Sequence, residues 1–185
     1  MNEEHEWVER TCLESPDHNP ARLLERLMDD PRCPAFGPIH HLLVGAALLT
    51  CQRNVTGGSD ETLAAQLAEL EVRSGSVPGA ACARWGVCGA AASCGMAFAI
   101  ICGNEPLKRE HWSDGQSLVA GILGEIADVG APRCCKRDSR IAVRFASRRF
   151  NELLGCGLEE GAAVSGCAVA EENSVCLGAT CPFHG

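Results

Sequence analysis

The sequence predicts an all-α fold: a single helical domain of about six helices with an irregular, cysteine-rich C-terminal tail. Three observations lead there. Apolar residues recur at helical spacing in successive segments, as in Leu63, Leu67 and Leu70, or Leu118, Ile122 and Ile126. Alanine and glycine are abundant, Tyr is absent and aromatics make up only 4% of the chain, which suits closely packed helices better than a β-sandwich or barrel. Helix caps and breakers fall where the periodic segments start and stop.

Residues 1–30 read as an acidic N-terminal helical extension, with nine acids against three arginines. Within it, Asn19-Pro20 is a cap followed by a first-turn proline, and Leu23, Leu24 and Leu27 form one side of a short amphipathic helix. Residues 31–155 are the helical core. Pro34 to Pro38 makes a turn. The helix that follows, through His40, His41 and Leu42 to Leu49, is apolar almost all round and therefore central. Asn54 to Gly58 ends it, and Ser59 opens a third helix carrying Leu63, Leu67 and Leu70. After a loop at Gly75 to Gly79, a fourth helix is expected over Gly86 to Cys102. Its glycines and alanines allow close approach of another helix or of a bulky ligand. Ser113-Asp114 precedes a fifth helix that Gly130 ends, and Pro132 starts a sixth that runs to Leu154 before Gly155. Residues 156–185 show no clear periodicity and are expected to be a metal-binding tail packed on the core.

A chain of 185 residues buries a core unaided, so its 13 cysteines are not needed to rescue a small fold. The first residues, Met1 to Trp7, are acidic and polar, without the basic start and apolar run of a secretion signal. The expected location is the cytoplasm, where thiols stay reduced and clustered cysteines hold soft metals. The longest apolar run, Ala90 to Cys102, has 13 residues, short of a membrane span. A net charge of −8 disfavours general nucleic-acid binding. No P-loop, glycine-rich dinucleotide loop or Ser-His-Asp pattern is present, and Gly86-Val87-Cys88-Gly89 follows no strand.

Two groups of cysteines carry the chemistry. Cys82, Cys88, Cys134 and Cys135 lie in tight loops or at expected helix starts, where free backbone N–H groups and the helix dipole favour thiolate or inorganic sulfide. Arg133, Lys136 and Arg137 add positive charge that suits an anionic iron–thiolate cluster. The second group is the tail: Cys156, Cys167, Cys176 and Cys181, the last followed by Pro182 as in ferredoxin-type runs. A metal would order a segment too poor in apolar residues to fold alone. Cys33 could join either group. Cys12, Cys51, Cys94 and Cys102 read as buried filler.

His40 and His41 are candidate catalytic residues, but neighbours on a helix point about 100° apart, so one ligand does not easily engage both. Arg133, Arg137, Arg140, Arg144 and Arg148 step along one face of the sixth helix. That stripe suggests an anionic small molecule or an acidic protein as partner, with Arg133 a further catalytic candidate. The bland alternative is a solvated face paired with the acidic first helix.

Four blocks, Cys33-Pro34…Gly37-Pro38…His40-His41, Cys82…Cys88-Gly89-Ala90-Ala91, Pro132-Arg133-Cys134-Cys135-Lys136-Arg137-Asp138 and Cys167…Cys176…Cys181-Pro182, resemble a small prokaryotic family described only as a domain of unknown function. The resemblance covers roughly residues 31 to 185 and implies members in anaerobes, some fused to methyltransferase-like domains. It implies that Cys33, Cys82, Cys88, Cys134, Cys135, Cys167, Cys176 and Cys181 belong to the family pattern as metal or cluster ligands. The expected function is an iron–sulfur protein, with one or two [4Fe–4S] clusters, acting in redox or sulfur-transfer chemistry with a partner enzyme or anionic substrate. The alternatives are a structural zinc-binding interaction domain and a thiol enzyme with Cys134 or Cys135 as nucleophile.

Overall fold

The computed structural model describes residues 1–161 and 166–184; residues 162–165 and 185, inside the expected tail, lie outside the described residues. The described residues form eight α-helices and one 3-10 turn, with no strand among them. These are α1 (Glu6–Leu13), α2 (Pro20–Met28), α3 (His40–Thr56), α4 (Asp60–Gly75), α5 (Ala81–Arg84), α6 (Gly89–Cys102), α7 (Trp112–Val129) and α8 (Cys135–Leu154), with the 3-10 turn at Gly178–Thr180. The fold is all-α, as expected, and no described helix is long and apolar enough to cross a membrane.

Helix α3 is the hub. Every residue from His40 to Cys51 is buried, and α1, α2, α4, α6 and α8 all pack against it. Helix α6 crosses it closely: the Gly45 backbone N–H donates to Ser93 Oγ at 2.8 Å across the interface. The local stops and starts follow the sequence. Asn19 accepts from the Ala21 and Arg22 N–H groups at 3.0 and 3.1 Å, and Ser59 accepts from Thr62 N–H at 3.2 Å. Gly57, Gly103 and Gly155 close α3, α6 and α8 in the left-handed conformation.

Two helices exceed the six expected. Helix α1 is only 8 residues long and shows little pattern in the sequence, yet it buries Trp7, Val8 and Cys12. Helix α5 is a single turn within the loop before α6. The fourth expected helix starts at Gly89 rather than Gly86, because Gly86 takes a φ of +70° that no right-handed helix accepts. The sixth starts at Cys135 rather than Pro132, with Cys134 extended as its cap. Residues 1–30 are also more than an appendage: Leu23, Leu24 and Leu27 are fully buried, and α2 packs on both α3 and α8.

Two glycines test this packing with opposite signs. A Cβ on Gly45 would lie 2.9 Å from both Leu70 methyls and from Ser93 Oγ, all in the sealed interior. Gly45→Ala should cost about 1–3 kcal/mol as an overpacked core substitution. Gly124 is exposed within α7 with nothing near a new Cβ, so Gly124→Ala should stabilise by about 0.5–1 kcal/mol. Urea unfolding of the two variants checks both; equal midpoints would contradict the close α3–α6 crossing.

Candidate functional site

Three long helices begin at one place. His40 and His41 open α3, Gly89 and Ala90 open α6, and Cys135, Asp138 and Ser139 lie in the first turns of α8; all line a cavity of about 280 Å³. Three N-termini thus turn their positive dipole ends toward a shared space, while the first N–H groups of α3 are taken by the Gly37, Pro38 and Ile39 carbonyls. Cys82 on α5, Cys88 at the cap of α6 and Cys135 supply three thiols to its wall. Gly89 makes the convergence possible. A Cβ there would stand 2.1 Å from the His41 ring, so only glycine lets α6 start against that imidazole.

The two histidines divide. His40 Nδ1 lies 3.1 Å from the Gly37 carbonyl, which can only accept, so Nδ1 carries the proton. Nε2 is then the acceptor facing Cys33 Sγ at 3.9 Å. Burial, assisted by the nearby Lys136 charge, lowers the His40 pKa to about 4 and keeps the ring neutral. His41 is 8% exposed and its Nδ1 has no hydrogen-bond partner. Burial lowers its pKa too, against an opposing hydrogen bond to the Val77 backbone. Ser139 Oγ, on the same wall, is likewise buried and unpartnered.

Two of these thiols, Cys88 and Cys135, resist ionisation. Burial pushes Cys88 up to about 11, and Asp138 adds to the effect while the Ala90 and Ala91 N–H groups oppose it. Burial also raises Cys135, against the Gly37 backbone and the Arg133 charge. Arg133 Nη1 stands 3.9 Å from Cys135 Sγ at the exposed rim, with its guanidinium over the Phe36 ring. Asp138 is buried and bonded to Arg137 Nε at 2.9 Å; burial raises its carboxyl pKa against that cation.

The expected grouping of the cysteines is redrawn. Cys134 does not join Cys82, Cys88 and Cys135. It lines a second, small cavity of about 20 Å³ together with Cys167, Cys176 and Cys181. Cys33 lines neither cavity; it sits behind the first, with Lys136 Nζ at 3.7 Å. Cys156 is apart from the other tail thiols, packed against the helical core. Among the described residues no three His, Cys, Asp or Glu side chains close on a single point as one metal ion requires. Every cysteine is free of disulfides.

The arginine stripe is also corrected. Arg137 and Arg140 are buried, not displayed: Arg137 donates to the Gly130 carbonyl and to Asp138, and Arg140 grips Glu25 at 2.8 and 2.7 Å. Arg144 is half-buried with its guanidinium 4.7 Å from the Phe183 ring centre, and Arg148 pairs with Glu125. The first turns of α8 point inward because α2 and the tail cover them. Arg133 is the one stripe arginine left at the rim of the larger cavity.

A model of the family described as "Family of unknown function (DUF5714)" matches residues 8–184. The chain belongs to the DUF5714 family. Neither the curated proteins nor the solved structures yield a match. The DUF5714 match begins inside α1, so most of α1 and all of α2 fall within the family's span together with both cavities.

The sequence did not flag Asp138 or Ser139 as wall residues, and it put Cys134 with the wrong partners. One signal was present: adjacent positions at a helix start diverge, which separates Cys134 from Cys135 as it separates His40 from His41.

His40 sets a pH dependence. The unfolded residue takes a proton near 6.5, whereas the folded one resists to about 4. Between those values the unfolded chain binds the extra proton, so stability is full above the upper value and falls as pH drops toward the lower one. At ~1.4 kcal/mol per unit the loss approaches roughly 3 kcal/mol at pH 4. Urea midpoints at pH 7 and pH 5 should differ, and His40→Gln should shrink the difference; an equal drop in the variant would place the effect elsewhere.

Proposed function

We propose that the protein holds an iron–sulfur cluster in the larger cavity, through Cys82, Cys88 and Cys135, and works in redox or sulfur-transfer chemistry on an anionic small molecule. The observation that carries this reading is the meeting of three thiols and three helix N-termini around a 280 Å³ space. A cluster fills a volume, and the larger cavity offers one. Helix N-termini and backbone N–H groups offset the negative charge that iron–thiolate clusters carry. Small residues at Gly79, Ala80 and Ala81 leave the room.

A bound cluster would supply electron transfer, or a labile sulfide, at the floor of the cavity. The chain's own residues would do the rest. Three thiolates leave one cluster position for substrate. Arg133 at the rim attracts an anion. The acidic protein partner loses support, because most of the stripe is spent internally. A thiol nucleophile is also disfavoured: burial raises Cys134 and Cys135, and an activated cysteine needs the opposite shift. The reading calls for a reducing compartment such as the cytoplasm.

The full chain purified without oxygen should be brown, with a visible sulfur-to-iron charge-transfer band and about four iron and four sulfide per cluster. Cys135→Ser should lose the band with helix content by circular dichroism unchanged, and Cys134→Ser should keep it. Colourless, iron-free protein, or a band lost in Cys134→Ser and kept in Cys135→Ser, would overturn the proposal.

A further inference from the structure

The vicinal cysteines serve different guests. We infer that Cys134, Cys167, Cys176 and Cys181 form a separate tetrathiolate site for one zinc ion, which clamps the tail to the start of α8. The inference uses none of the thiols assigned to the cluster and does not depend on it.

Size separates the two sites. The four thiols border a cavity of about 20 Å³, against 280 Å³ for the larger one. A space of ~10–15 Å³ admits a single water-sized guest. That is the scale of one ion, and too small for a cluster. The thiols stand on its wall, so an ion entering must draw them inward and displace any protons to solvent as thiolates form. Four thiolates around a divalent ion leave two negative charges, and buried cations are already in place. Arg140, which grips Glu25 at 2.8 and 2.7 Å, lines this cavity beside Cys167. Arg137 lines the same cavity.

The sulfur atoms also have the donors that zinc thiolates use. The Arg137 backbone N–H donates to Cys134 Sγ at 3.5 Å, and Asn173 Nδ2 to the same sulfur at 3.8 Å. Gly178 N–H donates to Cys176 Sγ at 3.4 Å, from a residue at φ +56° that turns the chain back over the thiol. Such N–H···S bonds orient ligand sulfurs and stabilise their charge.

Finally, the tail needs a tie. Of residues 166–184 only Asn173 and Phe183 are buried, and the one regular element is a three-residue turn. Phe183 sits between the Arg140 and Arg144 guanidinium groups, a thin apolar contact for so long a segment. A zinc ion joining three tail sulfurs to Cys134 supplies the missing cross-link, and its binding energy becomes folding energy for the tail.

Metal analysis of the full chain should find one zinc per chain. Cys134→Ser and Cys176→Ser should each lose it, and Cys135→Ser should retain it. Because a serine variant can misfold, the wild type supplies a second readout. Mass-spectrometric mapping of alkylation should show Cys176 and Cys181 protected until a zinc chelator is added, with tail cleavage by protease appearing at the same step. Zinc at one equivalent in Cys134→Ser, zinc lost only in Cys135→Ser, or tail thiols that alkylate equally with and without chelator would each overturn the inference. Loss of colour without loss of zinc would fail the cluster alone.

Discussion

Helix α8 enters the molecule with its charged end first, and the rest of the arrangement is built to receive it. Lys136, Arg137, Asp138 and Arg140 are all buried within its opening turns. A buried charge left unpaired costs several kcal/mol, so each must find a specific partner. Lys136, only 3% exposed, reaches the Met28 carbonyl at the end of α2 and Cys33 in the loop before α3. Arg137 takes the Gly130 carbonyl at the end of α7 as well as Asp138. Arg140 takes Glu25 from the middle of α2. Three separate segments are therefore fixed relative to one helix start. Such pairs add little net stability, since desolvation offsets most of their attraction. Their effect here is positional: they decide where Cys134 and Cys135 stand.

This explains why the central part of the fold was legible and the stripe was not. An apolar run from Leu42 to Leu49 has one physical solution, burial on all sides, and α3 adopts it. Caps such as Asn19 and Ser59 act within four residues, so their effect is written locally. Arginines spaced along one helix face carry no such local meaning. Whether that face meets water or another helix depends on Glu25, which is 115 residues away from Arg140 in the chain. The same limit applies to the cysteines. The family resemblance implied eight of them as a set, but the parting of Cys134 from Cys135 into two cavities follows from the extended φ of −140° at Cys134 and the helical start at Cys135. One peptide's geometry turns two neighbouring sulfurs to opposite sides.

Helix α1 was missed for a related reason. Its buried residues, Trp7, Val8 and Cys12, sit among acids that dominate the composition of the first 30 residues. Average charge pointed to an acidic extension, whereas the decisive feature is a narrow apolar edge only three residues wide. The family span beginning at residue 8 is consistent with that edge being part of the common core.

The two proposed metal sites share a peptide bond, and this has a thermodynamic consequence. Tying Cys134 to the tail would fix the cap of α8, and with it the backbone that presents Cys135 to the larger cavity. Whatever restrains one sulfur lowers the ordering cost of using the other. Linkage is reciprocal, so a guest in the larger cavity would favour closure of the tail site by the same free energy. Neither cavity needs to touch the other for this to hold. With one sulfur turned to each cavity, a pair of adjacent cysteines, poor as a chelating unit for one small ion, would be well placed at the junction of the two proposed sites.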